Sequence, residues 1–282
     1  MSDEFSAMMP ITDDEFARLR DLVYDRYGIN LTEKKRTLLV GRLQKVLRRE
    51  GLASFSDFYD RVVAAANGGM LDELINRIST NFTYFWREHA HYDHLRSVAL
   101  PEVCTRLQQQ RECDLRVWCA AAATGEEPYT LAMLIHEHLG ADYSRWQAGL
   151  LATDISLEAL TTATAGSYSA DAVKRLPARL KQRYLQADGD GSFRVAPELR
   201  ADMFFRRFNL MHEFPFKRPF HIIFCRNVMI YFDRPTRRRL LQKLYHHTAP
   251  GGYLYIGHAE SLNGIHDGYD SVQPAVYRRP PS

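Results

Sequence analysis

The chain has 282 residues, of which 45% are hydrophobic, 12% aromatic and 25% charged, with 37 basic and 34 acidic side chains and a net charge of +3. That composition excludes disorder and fibrous repeats, and the length suits about two domains. The charge is too mild to point by itself to nucleic acid or an acidic membrane, so a basic partner site has to come from local clustering.

The N-terminal run MSDEFSAMMP carries acids where a signal peptide needs a basic region followed by an apolar core. No stretch approaches the roughly 18 uninterrupted apolar residues of a membrane span, which predicts a cytoplasmic protein with no direct membrane insertion. Cys104, Cys113, Cys119 and Cys225 form no CxxC pair and have no histidine at a zinc spacing, so reduced, packed thiols are expected, with no metal and no disulfide frame.

From Thr12 to about Ala66 apolar residues fall at helical spacing: Phe16, Leu19, Leu22 and Val23, then Leu38, Leu39, Leu43, Val46 and Leu47, then Phe55, Phe58, Tyr59 and Val62. Tyr27-Gly28, Gly51 and Asn67-Gly68-Gly69 punctuate the run, and a further helix is predicted around Leu71 to Ile78. An all-α domain over residues 1–80 follows. After about Arg87, short β-rich runs alternate with helices. Asp114 to Ala120 precedes a helix from Glu126 to His138, Ala148 to Asp154 follows, and Phe220 to Cys225 precedes an arginine-rich helix from Arg234 and the run Gly252 to Gly257. This alternation predicts an α/β, doubly wound, mainly parallel sheet over residues 81–282, with its ligand at the carboxyl ends of the strands. The Asp188-Gly-Asp-Gly191 turn between β-prone runs predicts a small β-hairpin inserted at about residues 166–208. The insertion suits either partner docking or plain packing.

Trp118-Cys-Ala-Ala-Ala-Ala-Thr-Gly-Glu-Glu-Pro-Tyr-Thr130 reads as a strand, a turn of small residues and a helix with an acidic first turn. Small side chains let a ligand approach the backbone closely. Glu126 and Glu127 stand where a pyrophosphate would need no carboxylates, so the turn suits a cationic ligand. S-adenosylmethionine, with an ammonium, a sulfonium and no phosphate, fits. Asp154, ending the next strand, can accept hydrogen bonds from both ribose hydroxyls, although it lies farther along than the spacing of about 20 residues usual in dinucleotide sites. Each signal has a plain alternative: acids at a helix start complement the helix dipole, and a strand-ending aspartate often caps the next helix.

Asn81-Phe-Thr-Tyr-Phe-Trp-Arg-Glu88, Ala121-Ala-Ala-Thr-Gly-Glu-Glu-Pro-Tyr129, Phe224-Cys-Arg-Asn-Val-Met-Ile-Tyr-Phe-Asp233 and Gly257-His-Ala-Glu-Ser261 together resemble the chemotaxis receptor methyltransferases, the CheR family. The likeness covers nearly the whole chain. Two departures are an alanine-rich turn in place of several glycines and Cys119 where relatives commonly carry serine. The resemblance implies a Rossmann-like methyltransferase domain behind a helical receptor-recognition domain. It implies S-adenosylmethionine-dependent methylation of receptor glutamates to methyl esters, with S-adenosylhomocysteine as product. Carried over by motif, Asn81, Thr83 and Arg87 line the cofactor pocket, and Glu127 meets the methionine ammonium, a role that Glu126 beside it can share. Asp154 holds the ribose, and Asn209, Leu210, Arg226 and Asn227 complete the contacts. A glutamate carboxylate is already ionised at pH 7, so no general base is needed. Arg87 and Tyr231 are the residues expected to orient it, Arg87 through paired hydrogen bonds.

The Glu33 to Glu50 segment concentrates positive charge, although positions 1 to 86 carry 12 basic and 13 acidic residues. Arg42, Lys45 and Arg49 share a helix face, expected to lie in solvent. A basic face is often merely solvated; beside a glutamate-rich substrate helix it reads as electrostatic recognition. The short Ala187 to Ser192 turn favours recognition without a receptor tail peptide, and a monomer is the default. Nucleic-acid methylation is disfavoured by the lack of an Asn/Asp-Pro-Pro-Tyr run or a Pro-Cys dipeptide. A non-catalytic cofactor-binding regulator is disfavoured by the presence of Arg87 and Tyr231.

Overall fold

A computed structural model describes residues 9–64 and 69–281; the acidic N-terminal run up to Met8 and the Asn67-Gly68 break lie outside them. The described chain divides into two compact units. One runs to Thr80 and takes in Tyr231–Asp233; the other comprises Asn81–Ile230 and the chain from Arg234 onward.

The first unit is helical. Helix α1, Asp13–Tyr27, starts at a reciprocal cap in which Thr12 accepts from the Glu15 backbone N–H while the Glu15 carboxylate accepts from that of Thr12, and it ends at Gly28 with φ +68°. Helices α2 (Arg36–Glu50), α3 (Phe55–Ala64) and α4 (Gly69–Ile78) follow. Phe16, Leu19, Leu39, Leu43, Leu47, Phe55 and Phe58 are buried along their predicted stripes, and Leu74 of α4 is buried as well. Leu38, read as part of the same stripe, is 50% exposed, because the stripe of α2 continues through Leu39 and Leu43 and leaves Leu38 at its edge. Tyr231–Asp233, expected in the second domain, pack in this unit. The Asn30 N–H donates to the Tyr231 carbonyl (2.8 Å), Ile29 forms a β-bridge with Phe232, and the Tyr24 hydroxyl donates to Asp233 (2.8 Å).

The second unit begins with α5 (Ala90–His94), a π-type turn over Leu95–Ala99 and α6 (Leu100–Gln109). His and Asp residues interrupt the apolar stripe here, so periodicity alone gives no helix. Then come β1 (Val117–Cys119), α7 (Glu126–Leu139), β2 (Leu150–Asp154), α8 (Leu157–Ala165), β3 (Ser167–Ser169), α9 (Ala178–Tyr184), β4 (Leu185–Ala187), β5 (Ser192–Val195), α10 (Pro197–Ala201) and β6 (Met203–Arg207). The chain closes with β7 (Phe220–Phe224), α11 (Arg234–His247), β8 (Thr248–Tyr255), β9 (Asp270–Gln273) and β10 (Val276–Arg278).

The main sheet has the order β6-β2-β1-β7-β8-β10-β9, parallel from β6 to β8, with β10 antiparallel to both of its neighbours. From β1 the chain winds out through β2 to β6 and then returns to β7 on the other side of β1. The carboxyl ends of β1 and β7 therefore flank the crevice where an open α/β sheet takes its ligand. A separate three-stranded antiparallel sheet has the order β3-β5-β4. The predicted hairpin is β4–β5, and β3 adds a third strand across β5 that the sequence reading does not include. The insertion also ends earlier than predicted, since β6 lies parallel to β2 in the main sheet, with Leu150 opposite Met203 and Asp154 opposite Arg207.

Candidate cofactor site

The turn after β1 is held from both sides. The Ala122 N–H donates to the Thr153 carbonyl (2.9 Å), and the Tyr168 hydroxyl donates to the Thr124 carbonyl (2.8 Å). Gly125 enters α7 at φ +101°, and a Cβ there would lie 2.5 Å from the Tyr168 hydroxyl oxygen and 2.9 Å from the Ala163 Cβ. Only glycine meets both demands. Of the six non-glycine residues with positive φ among those described, Trp86, Glu88, Ala123 and Asn227 belong to the segments that build this site. Such backbone costs of order 1–3 kcal/mol per residue and persists where the surroundings enforce it.

The two acids at the start of α7 diverge. Glu126 accepts from the Thr124 hydroxyl (2.6 Å), and burial raises its pKa. Glu127 faces Arg226, at the end of β7, with 2.5 Å between Nη1 and Oε2. Burial pushes the Glu127 carboxyl up and Arg226 opposes that shift. Arg226, whose side chain is fully buried, also reaches Glu88 (3.0 Å), the Arg87 carbonyl (2.7 Å) and the Tyr92 hydroxyl (3.2 Å). Burial alone would lower its pKa, but Glu127, Tyr92 and Glu88 outweigh that and keep it charged. Two carboxylates therefore share one guanidinium. The Arg87 guanidinium also lies 4.0 Å from Glu88, so the charges balance, while among the described residues Glu127 Oε1 accepts only the weak Cys119 thiol donor (3.3 Å). A buried site of this kind fits an ammonium, the group that S-adenosylmethionine presents.

Asp154, at the end of β2, accepts from the Ala123 N–H (2.8 Å) and the Ser156 N–H (2.9 Å), one on each oxygen. Burial raises its pKa, and these backbone donors oppose the shift. A carboxylate offers about four lone-pair sites and three backbone donors, at Ser156, Ala123 and Ile155, act on this one, so the helix-entry role read as an alternative leaves room for a ribose-holding role. Its carbonyl accepts from the Phe208 N–H (2.9 Å), which brings Asn209 close; the Asn209 side chain accepts from the Met211 N–H (2.9 Å), and Leu210 is buried.

Asn81 and Thr83 are half-buried in the irregular segment before the Phe85–His89 turn. The Arg87 side chain doubles back to the Phe82 carbonyl (2.7 Å) and lies over the rings of Phe82 and Tyr84. Asn227 donates to Glu88 (3.2 Å).

Glu88 and Glu260 are the site residues that sequence reasoning missed, although both stand in the quoted motifs. Glu88 gathers Arg226, the Asn227 amide and the His258 N–H (3.1 Å). Glu260 accepts backbone N–H groups from Gly257 (2.6 Å), Asn227 (3.0 Å) and Ile230 (3.2 Å), tying the segment after β7 to the turn after β8. The only sequence signal was a carboxylate inside a fixed motif, which does not tell what it bonds. Glu88, His91 and His258 also set one ligand-type atom each within 4.8 Å of one another. The guanidinium already on Glu88 opposes a divalent cation there.

Tyr231, in the helical unit, donates its hydroxyl to the Thr80 carbonyl (3.3 Å) and has Lys35 over its ring. The expected solvent face of α2 needs correction at Arg42 alone, since Lys45 and Arg49 are exposed. Arg42 donates to the carbonyls of Arg77 (3.0 Å) and Ile78 (3.0 Å) at the end of α4, and Arg49 is paired with Glu50 and Glu73; Lys45 is exposed. The carboxyl end of α4 has carbonyls without helical partners, and a guanidinium one helix away satisfies them.

Residues 81–277 match the family described as CheR methyltransferase, SAM binding domain, and residues 14–79 match CheR methyltransferase, all-alpha domain. The chemotaxis protein methyltransferase of Borreliella burgdorferi is 39% identical over 98% of this chain and 98% of its own length. Chemotaxis protein methyltransferase 2 of Pseudomonas aeruginosa is 36% identical over 94% of this chain and 93% of its own. That of Escherichia coli is 34% identical over 97% and 93%.

Proposed function

The chain belongs to the CheR methyltransferase family, and from that premise we propose that it methylates glutamate side chains on the signalling helices of chemoreceptors, giving glutamyl methyl esters and S-adenosylhomocysteine. The observation that carries this reading is the Glu127–Arg226–Glu88 cluster at the switch point of the sheet, where the buried Glu127 keeps one oxygen that accepts only a thiol among the described residues. S-adenosylmethionine, when bound, supplies a methyl group on a cationic sulfur that leaves as a neutral thioether.

Glu127 holds the ammonium and Asp154 the ribose hydroxyls. Asn81, Thr83, Asn209, Leu210, Arg226 and Asn227 line the remainder by family resemblance. Arg87 and Tyr231 are assigned the incoming carboxylate. Both side chains are now hydrogen-bonded to carbonyls, and each gives up that contact to donate to the substrate. No proton has to move, because a glutamate is ionised at pH 7. The chain therefore works by positioning and by excluding water, and positioning alone can supply on the order of 7–11 kcal/mol.

Lys45 and Arg49 remain the proposed electrostatic surface for the acidic substrate. The short β4–β5 turn supports recognition without a receptor tail peptide, a reading that measurable binding of an isolated tail peptide would overturn. No helix among the described residues is long and apolar enough to cross a membrane.

The test is incubation with methyl-labelled S-adenosylmethionine and receptor-containing membranes, followed by mild base. Base-labile label released as methanol, and lost in Arg87→Ala, is the expected result; base-stable label would move the acceptor to nitrogen and overturn the ester.

A further inference from the structure

Within the helical unit a cavity of about 120 Å³ is lined by Leu31, Lys35, Leu38, Leu39, Ile78 and Tyr231, with other residues at its edge. Its walls are mostly aliphatic. Leu38 stands at the rim 50% exposed, an unusual position for a leucine whose neighbours Leu39 and Leu43 are fully packed. Apolar cavities of roughly 150 Å³ take up a benzene, so this one has room for a single aliphatic side chain.

Three cations stand around it in different states. Arg42 is committed to the carbonyls that end α4, and Arg77 is paired with Glu73 (2.9 Å). Lys35 pairs with no acid among the described residues and lies 5.3 Å over the Tyr231 ring. Desolvation lowers its pKa, a cost that a carboxylate beside it would offset. An apolar slot with an unpaired cation at its mouth is complementary to a helix that carries an aliphatic and an acidic side chain on one face. A helix presenting a glutamate to Tyr231 carries its next same-face side chains about 5–6 Å away, and Tyr231 is itself a wall of the cavity.

We propose that this cavity is a substrate subsite: it receives one aliphatic side chain of the helix being methylated, one turn from the modified glutamate, while Lys35 pairs with an acidic side chain of the same helix. The proposal rests on the function proposed above and adds to it a selection for residues around the target.

The test compares wild type, Leu38→Asp and Lys35→Met in steady-state methylation of receptor-containing membranes, with S-adenosylmethionine affinity measured by calorimetry. Leu38 is half exposed, so its replacement should leave the melting temperature unchanged; Leu38→Gln serves if it does not. Losing an aliphatic contact in such a pocket is worth about 10- to 200-fold. The expected result is at least a tenfold fall in receptor kcat/KM for Leu38→Asp, with unchanged cofactor affinity. Lys35→Met should show a smaller fall and a weaker dependence on salt. Receptor kcat/KM within twofold of wild type in both variants would overturn the subsite while leaving the proposed function intact. A matching loss of cofactor affinity would also overturn it, by making the cavity part of the cofactor site. A wild type that transfers no base-labile methyl to any receptor would remove the function and the subsite together.

Discussion

Glu127 offers one oxygen to Arg226 and keeps the other for little more than a thiol, so its free valence is the part of the site matched to an ammonium. Glu127→Gln keeps the shape and removes the charge. Hydrogen bonds to charged groups are worth about 1.5–3 kcal/mol, so S-adenosylmethionine affinity should fall roughly 10- to 100-fold by calorimetry, and an unchanged affinity would reassign the ammonium. Gly125 answers a different demand. Alanine there would combine φ +101° with contact on Tyr168 and Ala163, and should cost about 1–3 kcal/mol in denaturant unfolding as well as cofactor affinity. The glycine and the two acids were readable as a ligand turn from sequence. Which acid meets the arginine was not, because Glu126 and Glu127 are chemically equivalent until Thr124 and Arg226 divide them.

At the scale of elements, α2 shows how a helical wheel can be right about faces and still misplace a side chain. Arg42, Lys45 and Arg49 do share a face, but the carboxyl end of α4 lies against part of it and takes Arg42 as its cap. Arg42→Ala should therefore lower stability by about 1 kcal/mol, read as a lower melting temperature, with cofactor affinity unchanged. Lys45→Glu should leave melting unchanged and slow receptor methylation at low salt. An equal effect of Lys45→Glu at high salt would argue against electrostatic attraction. The segment after β7 follows the same logic. Its motif was recognisable as a string, but Asn227 and Ile230 are held by Glu260, a carboxylate 33 and 30 positions away, and no local pattern announces that bond.

For the molecule as a whole, acid stability depends on histidines that folding keeps neutral. Burial first, and then nearby arginines, lower His91 and His221 from 6.5 to about 3. Between pH 6.5 and 3 the unfolded chain binds these protons and the folded chain does not, so stability is full above pH 6.5 and is lost as pH falls. Each histidine contributes a slope of up to about 1.4 kcal/mol per pH unit. Denaturant unfolding at pH 7 and pH 5 should show the loss, and His221→Gln should flatten it; a flat wild-type profile would refute the account. Glu88 adds a loss at lower pH. Burial works to raise its pKa, but Arg226 and its other partners hold it below the ordinary value, so its stabilising charge disappears only in stronger acid.

The sequence by itself determined the helical first region, the alternating strands and helices of the second, and the small-residue turn before Glu126 and Glu127, because apolar periodicity and turn chemistry are local. Its motifs also carried the family. Only the tertiary structure decided that Glu88 and Glu127 share Arg226, that Glu260 ties two strand ends together, that Arg42 caps α4, and that Tyr231–Asp233 join the helical unit. Each of these is a bond between polar groups far apart in the chain, whose partners are selected by which ends the packing of helices and sheet brings together.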